Sequence, residues 1–169
     1  MPSSSRPYHH PAPRRGFTLI ELVIAVTLIG LIVALALPEL SGVVLRTKQG
    51  EREVMMNAIA QAVNDYALHH EGMLPGGPLP DLPRNPSHAP DGSRQWFSPD
   101  VGRWAALGWR PEAPLYYRYD VTSPTPDTFV VTAQADLDRN GRVNVKSITY
   151  RRKGGTFQRL SETESADLY

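Results

Sequence analysis

The chain has 169 residues, which suits one ordinary domain with an appendage. Its net charge of +1 gives no reason to expect nucleic acid as a partner, and the absence of cysteine excludes disulfides, thiolate metal sites and cysteine nucleophiles. No nucleophile elbow, H-E-x-x-H, phosphate loop or full glycine fingerprint is present, so nothing in the motifs indicates an enzyme.

The first sixteen residues, Met1–Gly16, are rich in proline and serine and carry Arg6, Arg14 and Arg15. His9 and His10 stand side by side without further ligands, which is a poor metal site. From Phe17 to Leu37 the only charge is Glu21. At about 1.5 Å per residue a helix of that length spans roughly 30 Å, the thickness of a bilayer's hydrocarbon core. The arginines before it predict a cytoplasmic N-terminus, with Arg46 and Lys48 as a counterweight on the far side. Hydropathy alone fits a plain single-pass anchor.

Glu21 asks for more. A carboxylate in a bilayer costs about 3 kcal/mol on insertion scales and normally has a partner, yet the run contains no Lys or Arg. Cutting the chain after Gly16 would expose an α-amino group on Phe17. In a stack of such helices that cation could meet Glu21 of a neighbour, and the acid would mark the register of assembly.

The stretch Arg15-Gly16-Phe17-Thr18-Leu19-Ile20-Glu21-Leu22-Val23-Ile24 resembles the class III signal of the type IV pilin superfamily, which includes type II secretion pseudopilins. The resemblance implies removal of the leader by a prepilin peptidase after Gly16, N-methylation of Phe17, and a role for Glu21 in guiding subunits into a filament. Gly30 and Pro38 fall where such proteins often weaken the helix. Glycine lowers helix propensity by about 1 kcal/mol and proline removes a backbone donor. The implied partners are other pilin-like subunits and inner-membrane assembly machinery. The implied location is the bacterial inner membrane, with a periplasmic head, and then a filament.

Helical character continues over 38–72. Met55, Ile59, Ala62 and Tyr66, with Val63 and Ala67, form an apolar stripe. Arg46 to Glu53 are almost wholly polar, so this part is expected to be solvated or to face neighbours. The helix should stop near Gly72, with His69 and His70 favouring its C-terminal dipole. Residues 73–114 are expected to be a long Pro/Gly-rich loop with a short helix near 99–107. Trp96, Phe97, Trp104 and Trp109 either pin that loop to the sheet or form a contact surface.

Strands are expected at Leu115–Val121, Thr128–Ala135 and Val143–Arg151, with Thr156–Leu160 as an optional edge strand and 161–169 as a loose tail. Pro124 and Pro126 mark the first turn, and Asn140-Gly141 is a strong hairpin signal. Asp136, Asp138 and Asn140 also match the first half of a calcium loop, as some pseudopilins use near their C-termini. The second half fails, because Ser147 stands where an EF-hand has Glu. A plain turn and a weak calcium site both remain open, and no other cofactor is expected.

The expected fold class is α+β: a long N-terminal helix, its first half in the membrane, packed on a small antiparallel sheet in the ladle form of pilins. The units are leader 1–16, assembly helix 17–37, helix continuation 38–72, loop 73–114, sheet 115–160 and tail 161–169. The expected function is that of a minor pilin or pseudopilin. The alternative is a membrane-anchored periplasmic ligand-binding module that does not polymerise. The lack of a C-terminal cysteine pair departs from many major pilins.

Overall fold

The computed structural model describes residues 16–71, 82–88 and 91–165. Helix α1 spans Leu19–His69, and the strands are β1 (Leu82–Asn85), β2 (Arg118–Thr125), β3 (Thr128–Ala135), β4 (Asn144–Lys153) and β5 (Thr156–Glu164). The chain divides into an N-terminal unit up to Ser41 and a head, Gly42–Tyr169. The leader arginines, His9, His10, Gly72 and the prolines of 72–81 lie outside the described residues.

In the N-terminal unit α1 runs unbroken through Gly30 and Pro38, the two expected weak points. Apart from Glu21, Thr27 and Glu39, the described side chains of this part of α1 are apolar.

In the head, the five strands form one antiparallel meander in the order β1-β2-β3-β4-β5. The head's part of α1 supplies Met56, Ile59, Ala60, Val63 and Ala67 to the core, opposite Tyr119, Val121, Phe129, Val131 and Ile148. The buried stripe is thus turned slightly from the expected one: Met56 is fully buried, while Met55 and Tyr66 are half-buried. Phe129 stacks on Tyr150 at 4.8 Å and meets Phe157 edge-on at 4.9 Å. Burying a ring of this size stabilises by about 1.5–3 kcal/mol.

The strand boundaries differ from expectation in instructive ways. The strand expected at Leu115–Val121 runs instead from Arg118 to Thr125, because Leu115 pairs with Gln95 in an isolated bridge. Pro124 lies inside β2, where the register with β3 slips between Thr122 and Thr125. That slip tolerates its missing N–H. The Ser123 hydroxyl donates to the carbonyls of Thr125 (2.7 Å) and Thr128 (2.9 Å) and closes the turn. The sheet also extends beyond 115–160 at both ends. β1 arises within the expected loop, where Leu82 pairs with Val121, and β5 continues through Glu164 into the expected loose tail.

The expected helix near 99–107 is a single 3-10 turn, Trp104–Leu107, closed by Gly108 at φ 64°. Helix α1 ends at His69, and Glu71 takes a left-handed φ of 53° just before Gly72. His70 stacks on Tyr66, and its Nδ1 lies 2.8 Å from the Tyr66 carbonyl oxygen. This suits a helix-end role for the histidine.

Candidate assembly site

Four residues past Phe17, Glu21 occupies the third position of α1, and Thr18 caps the helix. The Thr18 hydroxyl accepts the Glu21 amide N–H at 3.3 Å, and the Glu21 carboxylate accepts the Thr18 amide N–H at 3.5 Å. The Thr18 carbonyl takes the Leu22 amide at 3.2 Å. This is a capping box, in which two orphan donors of a helix start are satisfied reciprocally. Its sequence signature is Thr18-Leu19-Ile20-Glu21 before an apolar run, a local pattern distinct from the assembly role expected of Glu21.

Beyond the cap the segment is a bare apolar rod. Phe17 and Leu19 are each 81% exposed, and Leu35 is 70% exposed. The Thr27 hydroxyl turns back to the carbonyls of Val23 (3.0 Å) and Ile24 (2.9 Å), hiding its polarity. A Cβ added at Gly30 would meet nothing within 4 Å, so packing inside one subunit does not require glycine there. Among the described residues this helix alone is long and apolar enough to cross a membrane.

The polar stretch after Arg46 is not simply solvated, contrary to expectation. Arg52 is 6% exposed. Its Nη1 donates to Asn144 Oδ1 and to Glu164 Oε1, both at 2.7 Å. Lys146, on the inward face of β4, pairs with Glu53 and, at 2.6 Å, with Glu162. The inward residues of β4 are Asn144, Lys146, Ile148 and Tyr150. The weak apolar alternation of that strand has its cause here: half of its inner face meets charges from the helix. Burial alone would raise the Glu164 pKa, but the Arg52 hydrogen bond and charge hold it below the ordinary value.

Glu51 is also engaged. Its carboxylate accepts the amides of Tyr116 (2.9 Å) and Tyr117 (3.3 Å). Burial pushes its pKa above the ordinary carboxylate value, against the pull of those two donors. Burial likewise drives the Tyr117 hydroxyl up to about 12.

The loop aromatics divide. Trp104 is fully buried, donates Nε1–H to the Pro83 carbonyl at 2.7 Å, and meets Phe97 edge-on; Phe97 in turn meets Trp109. These three pin the loop. Trp96 stands apart at 71% exposed.

The residues of the calcium motif build a turn. Asp136 accepts the amides of Asn140 (3.1 Å) and Gly141 (3.0 Å), and Asn140 Oδ1 accepts the amide of Arg142 at 2.7 Å. Ser147 sits in β4, and its hydroxyl lies 3.2 Å from that of Thr132. The twelfth position of a calcium loop therefore lies in a strand. Calcium takes six to eight oxygens, and the turn offers only two carboxylates and one amide side chain. Among the described residues no group of three or more acids and histidines converges to hold a metal.

Residues 12–37 match the family described as the prokaryotic N-terminal methylation motif. A fimbrial protein of Neisseria meningitidis serogroup B is 36% identical over 63 residues, which are 37% of this chain and 36% of that protein. A type IV major pilin protein, PilE1, of Neisseria gonorrhoeae is 35% identical over 57 residues, 34% of each chain. The matches thus span about a third of the length of these curated relatives. No solved structure matches the chain.

An apolar helix opened by this motif, with its continuation packed on a small antiparallel sheet, defines a pilin-like, membrane-associated class of protein. This chain is a type IV pilin-like protein with an N-terminal methylation motif.

Proposed function

We propose that the chain is a structural subunit of a type IV pilus or secretion pseudopilus, as a minor pilin or pseudopilin. A prepilin peptidase cuts it after Gly16 and Phe17 is N-methylated. The apolar segment then holds it in the inner membrane, with the head in the periplasm, until assembly machinery moves it into a filament. The observation that carries this reading is the pairing of one exposed acid, Glu21, with an apolar run over residues 17–37 whose side chains are all exposed in the isolated subunit.

Outside lipid that surface must be covered, and helices of neighbouring subunits supply the cover. Burial stabilises by about 25 cal/mol per Å² once a subunit leaves lipid for a filament facing water. Within lipid this driving force is largely absent, so extraction needs an external motor. Gly30 and Pro38 keep a role as places where the helix can loosen during that transfer.

Mass spectrometry of the protein recovered from its native membranes tests the proposal. A chain beginning at methylated Phe17 supports it. An uncut chain that stays monomeric would instead favour the anchored binding module.

A further inference from the structure

The head carries an open groove formed by Val43, Val44, Lys48 and Glu51 of α1 together with Arg94 and Tyr116. Its valines are 56% and 53% exposed. The Lys48 ammonium lies 4.8 Å and the Arg94 guanidinium 4.7 Å from the centre of the Tyr116 ring. The ring therefore holds two cations in place by cation–π attraction. Glu51 does not neutralise them fully, because one carboxylate stands against two cations. The groove thus offers an apolar floor and two positioned cations, and it fits an apolar surface that carries one acid.

This chain possesses such a surface. Leu35, Leu37 and Leu40 of α1 are 70%, 58% and 59% exposed, and Glu39 among them is exposed as well. We propose that the groove receives the Leu35–Leu40 segment of a second copy, with that copy's Glu39 between Lys48 and Arg94. The contact rests on the assembly reading above and names one of its interfaces. Apolar cover supplies the attraction and the charges set the register.

The test uses the full-length chain in cells that carry its assembly system, with filament and membrane pools quantified. Glu39→Lys alone, and Lys48→Glu with Arg94→Glu, should each lower the filament fraction at least tenfold. The triple variant should recover at least half of it. Because the chain has no cysteine, Glu39→Cys combined with Arg94→Cys should give disulfide-linked multimers in filaments only.

Filaments that form normally with either charge reversal, or that yield no cross-link, overturn the interface while leaving the assembly reading standing. A silent Glu39→Lys, with the Lys48/Arg94 reversal mimicked by depleting anionic lipid, assigns the groove to lipid phosphates and also overturns it. A wild-type chain that never enters filaments sinks the assembly reading itself.

Discussion

Thr18 and Glu21 satisfy each other's backbone amides across the first turn of α1. The acid therefore has a local partner before any neighbour arrives. The same contact fixes the carboxylate beside the end of the chain where cleavage would place a new amine. One short motif thus starts the helix and aims the one charge of the 17–37 run.

Replacing Glu21 with Val should leave insertion and cleavage intact and strongly reduce incorporation into filaments. Thr18→Ala should remove about 1 kcal/mol of capping and give an intermediate loss. Quantifying cleaved and filament-borne protein for both variants checks this. Equal incorporation of Glu21→Val would remove the register role.

Arg52→Ala should lower the stability of the head by about 3 kcal/mol, because it removes the buried cation from which Asn144 Oδ1 and Glu164 Oε1 accept. Thermal unfolding of the full chain in detergent reads the effect. A loss within 0.5 kcal/mol, roughly the spread of neutral surface changes, would mean that the buried network contributes little.

The acids of the head predict an asymmetric pH response. Burial raises the pKa of Glu51 and of Asp120, so for these two groups the folded state binds protons more readily than the unfolded state. Their contribution is present in full below the unfolded carboxylate value and is lost as pH rises through the raised one. Glu164 behaves oppositely: its contribution is present above the unfolded value and is lost as pH falls through the lowered one. Melting temperature should therefore rise slightly as pH drops from 7 toward 5, then fall at lower pH. Glu51→Gln should flatten the rise. A monotonic fall from pH 7 in the wild type would contradict the scheme.

Gly92 takes a φ of 73°, and a Cβ there would lie 2.7 Å from Arg139 Cγ and 3.0 Å from the Asp136 carbonyl oxygen. The backbone carbonyl cannot swing aside as a side chain can. Gly92→Ala should cost about 1–3 kcal/mol through strain at this left-handed position. The sharpest check is amide exchange in the 136–143 turn, which should quicken in the variant.

Millimolar calcium should leave the melting temperature of the full chain unchanged relative to chelator, since the turn spends Asp136 on two amides. A rise of several degrees that disappears in Asp136→Ala with Asp138→Ala would restore the calcium alternative.

The long apolar helix of the N-terminal segment was legible in the sequence, whereas the Thr18–Glu21 capping box was not read from it. A hydrocarbon run broken by one acid has few physical solutions, and Thr18, Glu21 and the run itself are neighbours in sequence. The β3 strand and the Asn140-Gly141 turn were legible for the same reason, because period-two alternation and turn chemistry are local. The chain by itself thus determined its apolar N-terminal helix, its α+β class and the core of its meander. Tertiary structure alone decided that Arg52 is buried, that Lys146 faces inward, that β1 and the end of β5 join the sheet, and that Trp96 stays out while Trp104 goes in. Each of those outcomes depends on partners far apart in sequence, such as Arg52 with Asn144 and Glu164, and no local pattern encodes a contact whose two halves meet only after folding.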